Sequence, residues 1–326
     1  MQMKRYRIKR KVLKINNLVI GSRGSELALW QASFIKKELE RKNKNLSVEV
    51  RIINTKGDNI LDVALSKIGD KGLFTKELEN ELLKGSIDIA VHSLKDLQTI
   101  IPDGLILAAV TKRHAVEDVL ISRKKGIKIN QLIENATVAT GSLRRRSQIL
   151  HIRPDIIIEE LRGNVPSRIK KFLDSKWDAI ILARAGVERL NLTEYISSII
   201  PLSQILSAVG QGALGIEIRK DNLFAIDAVQ KIHHENTSIA ARAERSLLKV
   251  LEGGCQVPIG AYAQVTSHGL YIDGLVSAID GSITFRERIR GSKLNPEKLG
   301  EKLAKSLLKA GAKDILKDIY QNARIN

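Results

Sequence analysis

The one cysteine among 326 residues, Cys255, lies in the run Leu251-Glu252-Gly253-Gly254-Cys255-Gln256-Val257-Pro258. A single thiol cannot form an intrachain disulfide, and a free cysteine is most often a small buried hydrophobe. Here two glycines precede the sulfur and a proline follows three residues later, which describes a tight loop between a helical run and a strand. A thiol displayed in such a loop suits covalent attachment of another group. A second signal is His92-Ser93-Leu94-Lys95-Asp96-Leu97, directly after an expected buried strand at 87–91. Charged residues that follow a buried strand in an α/β protein stand at the carboxyl edge of the sheet, where ligands bind. The competing reading is a solvated Lys95–Asp96 pair of little energetic worth.

The arginines give a third signal. Arg23 lies in Gly21-Ser22-Arg23-Gly24-Ser25 after an expected strand at 18–20, and Arg144 and Arg145 open a helix after strand 137–140 and Gly141-Ser142. Arg162 and Arg168 come after strand 156–161, and Arg184 and Arg189 after strand 178–183. Any one of these serves solubility equally well. As a set they gather where α/β sheets bind ligands, and guanidinium forks match carboxylates bidentately. No Gly-x-x-x-x-Gly-Lys-Ser/Thr loop is present, which argues against a nucleotide as the anion. His233 and His234 lack a cysteine or carboxylate partner pattern, so no metal is assigned.

The elements that must position these groups read as strand, turn and helix repeated. A helix with Leu27, Trp30, Phe34, Ile35 and Leu39 on one side follows Ser25, a good N-cap. Residues 48–52 alternate as a strand, 60–72 read as a long lid-like loop, and 74–84 as a helix. The segment Thr111-Lys112-Arg113-His114 is where the chain is expected to cross to a second domain, and the strand from Ala213 to Ile218 is expected to bring it back. A helix at 237–251, strands at 259–265, 270–279 and 282–291, and a terminal helix make a third unit. The expected division is a basic extension at 1–16, domain 1 at 17–112 plus about 208–232, domain 2 at 113–207 and domain 3 at 233–326.

The formal charge of +18 raises nucleic acid as a partner. With 4% aromatic residues, stacking platforms are scarce, and no zinc-finger, RNA-recognition or basic-zipper pattern occurs. A small substrate with many carboxylates is the alternative explanation. No apolar run approaches the roughly 18 residues of a membrane span. The basic start lacks a signal peptide's apolar core and cleavage site. The expected location is therefore cytoplasmic, with no membrane and no nucleic acid as partner.

At this point the residues resemble a family. Arg23-Gly24-Ser25 with LALWQA, Lys71-Gly72-Leu73-Phe74, VHSLKDL, Ser142-Leu143-Arg144-Arg145, Arg162-Gly163-Asn164, VGQGAL and GGCQVP occur in the order seen in the porphobilinogen deaminases, also called hydroxymethylbilane synthases. The resemblance implies an α/β fold of two periplasmic-binding-protein-like lobes and a smaller α+β C-terminal domain. It implies an enzyme that joins four porphobilinogen molecules head to tail, releasing ammonia each time, on a dipyrromethane primer held by a thioether. Cys255 matches the attachment point and Asp96 the catalytic aspartate. Lys95, Thr140, Ser142, Arg144, Arg145 and Gln211 match cofactor-binding positions, and Arg23, Ser25, Arg162, Arg168 and Arg189 match substrate-binding ones. A monomer is expected, as is hand-over of product to uroporphyrinogen-III synthase. The loop 60–72 would be the mobile cover. Three departures stand out: Gln98 replaces a frequent proline, which implies a looser exit from the Asp96 segment; Gly141 replaces a common serine; and Arg146 a frequent glutamine. Two other classes remain open, a non-catalytic anion-binding protein on the same lobes, which needs neither Cys255 nor Asp96, and a nucleic-acid binder with a steep salt dependence.

Overall fold

The computed structural model describes residues 16–55, 75–252 and 257–325. Cys255, the loop 60–72 and the Lys71–Phe74 motif lie outside the described residues. Strand β1 (Asn16–Ser22) runs into helix α1 (Glu26–Lys42), which is capped by Ser25, whose Oγ accepts from the Ala28 N–H. Strand β2 (Leu46–Ile52), helix α2 (Lys76–Lys84), strand β3 (Ile89–Ser93) and strand β4 (Leu105–Val110) follow. The expected helix therefore begins two residues late, behind Thr75, and ends where Gly85 takes φ 73°, a left-handed conformation that suits glycine.

The chain then builds a second sheet from β5 (Asp118–Ser122), β6 (Thr137–Ala139), β7 (Ile157–Glu159), β8 (Ala179–Ala183) and β9 (Ser198–Ile200). Its helices are α3 (Leu143–Ile152), α4 (Val165–Asp174) and α5 (Arg184–Arg189). Asn164 caps α4 by accepting from the Ser167 N–H, with Pro166 in the first turn, where its missing donor costs nothing. Strand β10 (Leu214–Arg219) then returns to the first sheet, followed by α6 (Leu223–Gln230).

The two five-stranded sheets share one design. In the first, of order β2-β1-β3-β10-β4, β1 is parallel to β2 and β3, while β10 is antiparallel to both its neighbours. In the second, of order β7-β6-β8-β5-β9, β6 is parallel to β7 and β8, while β5 is antiparallel to β8 and β9. Helices cover both faces, so the central strands are apolar throughout, as Ile89-Ala90-Val91 and Ile180-Ile181-Leu182 are. Each sheet has a separate core on each side. Two interlobe crossings result, one at 111–117 and one at 201–213.

The third unit packs α7 (Glu235–Val250) and α8 (Pro296–Leu307) on an antiparallel sheet of β11 (Ile259–Thr266), β12 (Gly269–Ser277) and β13 (Thr284–Gly291). Leu247, Leu303 and Ile272 are fully buried at its centre. A final helix, α9 (Lys313–Ile325), continues from α8 after Gly311 turns through φ 124°.

Candidate active site

The parallel strands point their carboxyl ends toward a cleft between the two lobes. The first lobe supplies Leu27, Ser93 and Lys95; the second supplies Arg145, Val165, Arg168, Leu182, Gly186 and Arg189; and the returning crossover adds Gln211, Gly212 and Ala213. Asp96 ends the short turn Leu94–Asp96 that follows β3, with its side chain exposed. Four lining residues are cations, and none of the described lining residues is an acid.

Burial sets the electrostatics. The Lys95 ammonium is pushed down by burial and by Arg145 and Arg144, with Asp96 and Asp118 opposing. Arg168 is pushed down to about 10 by burial, next by Arg145, while Asp96 opposes. Arg189 is pushed down to about 10 by burial. Burial disfavours the charged form of all three, and an anion entering the cleft would offset that cost. Asp96 is thus the carboxylate whose field reaches both Lys95 and Arg168.

Beneath the cleft, Asp118 holds the second lobe's arginines. Its Oδ1 accepts from Arg145 Nη2 and its Oδ2 from Arg144 Nη2, each at 2.8 Å. Burial alone would raise this carboxyl, but the two guanidinium groups outweigh it and hold it far below the usual carboxylate range. Arg144 spends its other arm on the Leu206 carbonyl at 2.6 Å and lies outside the cleft lining. Arg145 donates to the Ile181 carbonyl but keeps a buried Nε with no hydrogen-bond partner, and it lines the cleft. Gln211 donates to Val116 O at 2.8 Å and to Asp118 Oδ1 at 3.0 Å, leaving its buried Oε1 without a partner.

The remaining expected residues divide. Arg168 lines the cleft and donates from Nε to Gly163 O at 2.7 Å. Arg189 lines it too, donating from Nη2 to Gly212 O at 2.8 Å. Arg162 stands 3.4 Å from Glu160. Thr140 accepts from the Ser142 N–H, and Ser142 precedes α3 as its N-cap without a side-chain cap bond. Arg23 and Ser25 sit in the β1–α1 turn. Neither these two nor Thr140, Ser142 and Arg162 are among the residues lining the cleft floor.

Several supporting residues escaped the sequence reading. Asp118 opens a buried strand, a position where an acid needs a cation, and that was its only signal. Glu244 of α7 accepts both arms of Arg113 at 2.7 Å as well as the N–H groups of Gly210 and Ala263, fastening both crossovers to the third unit. Arg245 donates to Leu97 O at 3.0 Å and to Gln98 O at 2.5 Å. The carbonyls of the exit after Asp96 are thus engaged by Arg245, and a backbone acceptor does not depend on the residue type. Among the described residues no group of His, Cys, Asp and Glu has metal-site geometry, and no helix is long and apolar enough to cross a membrane.

Comparison with known proteins places the chain among relatives. Residues 18–227 match the family model described as "Porphobilinogen deaminase, dipyromethane cofactor binding domain", and residues 238–309 match "Porphobilinogen deaminase, C-terminal domain". The porphobilinogen deaminase of Carboxydothermus hydrogenoformans is 47% identical over 94% of this chain and 98% of its own. That of Chlorobium luteolum is 49% identical over 94% of this chain and 98% of its own. Among solved structures, the extracellular-binding protein of a probable amino-acid ABC transporter from Bacillus subtilis is similar with TM-score 0.43 and 14% identity, covering 67% of this chain and 91% of that one.

Proposed function

The chain belongs to the porphobilinogen deaminase family, and on that premise we propose which of its residues do the work. The enzyme is a transferase that makes hydroxymethylbilane from porphobilinogen in tetrapyrrole biosynthesis, with a dipyrromethane cofactor. The observation that carries the residue assignment is a cleft lined by Lys95, Arg145, Arg168 and Arg189, with Asp96 at its edge.

These cations fit the cofactor and substrate, which are rich in acetate and propionate groups. The unpartnered Arg145 Nε and Gln211 Oε1 add a donor and an acceptor at the same place. When bound, the dipyrromethane supplies the pyrrole to which the first substrate ring is joined. Lys95 and Arg145 hold its carboxylates, together with Thr140, Ser142 and Arg144, the buried Arg144 chiefly by fixing Asp118, while Gln211 offers its free Oε1 as an acceptor for a pyrrole N–H of the cofactor. Arg168 and Arg189 receive the carboxylates of incoming porphobilinogen, assisted by Arg23, Ser25 and Arg162. Asp96 gives a proton to the departing amine and then, as a carboxylate, offsets the positive charge left on the substrate ring.

Cys255 is the attachment point, and α7, which ends five residues before it, is fixed to the Asp96 exit by Arg245. The enzyme acts as a cytoplasmic monomer and passes hydroxymethylbilane to a uroporphyrinogen-III synthase. The first experiment is the intact mass of the purified chain beside Cys255→Ser, after incubation with porphobilinogen. An adduct of two linked pyrrole units on the wild type only is expected; an unmodified wild type would refute the attachment.

A further inference from the structure

Arg189 is half-buried among the residues lining the cleft, and no acidic side chain among the described residues offsets its desolvation. Its guanidinium lies 5.5 Å from the centre of the Trp30 ring, on α1 of the opposite lobe. Trp30 is itself stacked on Phe34 with ring centres 5.4 Å apart and planes 4° from parallel. Neither aromatic belongs to a buried core, so this pair does not fill the interior of its lobe. Close by, α1 and α5 approach where Gly186 faces Leu27: a Cβ on Gly186 would come within 3.7 Å of the Leu27 side chain.

From this geometry we infer that Trp30 is a positioning residue for Arg189, holding the substrate-carboxylate arginine of one lobe from the helix of the other. The inference rests on the substrate role of Arg189 proposed above. Two contacts fix the guanidinium: one arm donates to Gly212 O at 2.8 Å, and the Trp30 ring takes up the cation. An aromatic face attracts a cation without consuming its N–H donors. The remaining donors of the planar fork stay available for a carboxylate. A carboxylate of Asp or Glu at residue 30 would compete with substrate for those donors, and an aliphatic residue would leave the side chain free to swing. Phe34, stacked on the indole, limits the ring's own rotation.

The test is steady-state turnover of porphobilinogen by the cofactor-loaded enzyme, with Trp30→Leu, Trp30→Phe, Arg189→Gln and the Trp30→Leu/Arg189→Gln double variant beside wild type. Thermal unfolding and intact mass establish that each variant folds and carries its cofactor. Trp30→Leu is expected to lower kcat/KM about three- to tenfold, mainly through KM, and Trp30→Phe to recover most of that loss. In the Arg189→Gln background, Trp30→Leu is expected to add little, because the cation it serves is gone. An equal loss in both backgrounds, or an unchanged KM in Trp30→Leu, overturns the inference while leaving Arg189 as a substrate ligand. An unchanged KM in Arg189→Gln withdraws the ligand role itself, and this inference with it. Should Trp30→Leu fail to fold, Trp30→Phe against Trp30→His reads the same coupling.

Discussion

A single carboxylate and a ring of cations carry the chemistry proposed for this chain, and each depends on where its side chain ends. Asp96 is exposed at the cleft edge, while Lys95, one residue earlier, is enclosed enough for burial to push its ammonium down. Adjacent residues thus meet different surroundings: one carboxylate is open to solvent, and one ammonium is disfavoured by burial. Asp96→Asn keeps the shape and removes the ionisable oxygen. A fall in kcat of about 10²- to 10⁴-fold is expected, with thermal stability and cofactor mass unchanged; near-normal turnover would show that another group handles the proton. Arg144 and Arg145 illustrate the same point in reverse. They are neighbours of one type, yet Arg144 is committed to Asp118 and Leu206 O, while Arg145 shares Asp118 and still reaches the cleft.

At the scale of elements, β3 and α2 meet over a buried polar cluster behind the cleft. His92 Nε2 lies 3.1 Å from Glu217 Oε2, both side chains nearly inaccessible, and Glu79 of α2 is buried close to them. Burial raises the Glu79 carboxyl, the neighbouring Glu217 charge adds to the rise, and His92 opposes it. The sign of the consequence follows. In the unfolded chain Glu79 loses its proton near the ordinary value of about 4.3, and in the folded chain only at higher pH. Between those two values the folded state binds more protons, so this group's contribution makes stability decline as pH rises. Replacing Glu79 with Gln is expected to flatten that decline and to leave the variant more stable than wild type at neutral pH, measured by urea unfolding at a series of pH values. A variant whose profile parallels the wild type's would assign the decline elsewhere. The same β3 delivers Asp96, so this cluster and the Arg245 contacts at Leu97 and Gln98 together set the position of the turn.

For the molecule as a whole, Glu244 joins parts that the sequence separates widely. Its carboxylate meets Arg113 from the outward crossing, Gly210 from the returning one and Ala263 from the third unit. Burial would lower the Arg113 guanidinium, but Glu244 outweighs it and raises it. Gly212 marks how closely the two crossings pass: with φ 87°, a Cβ there would lie 2.7 Å from Ala115 O. Replacing Glu244 with Ala leaves a buried cation and two N–H groups without their acceptor. A loss of about 3–5 kcal/mol is expected in urea unfolding, where a loss below about 1 kcal/mol would mean that water takes over the carboxylate's role.

Much of this was legible from residue order. Apolar runs such as 89–91 and 180–182 fixed the central strands, because a strand covered on both faces must be apolar along its length. Ser25 announced a helix start, and the arginines after successive strands pointed to the edge where cations now line a cleft, since the carboxyl ends of parallel strands share one edge. Sequence also carried the family motifs, and with them Cys255 and Asp96 as the residues to test. It did not separate the arginines that line the cleft from the one that braces it. That division depends on which guanidinium reaches Asp118 and the Leu206 carbonyl, contacts spanning 26 and 62 residues. The joint at Glu244 and the Arg189–Trp30 contact across the cleft were hidden for the same reason. Local order sets strands, caps and turns through interactions within a few residues, but the partner of a buried charge is chosen when distant elements pack. Only the tertiary structure decides which charges are brought together.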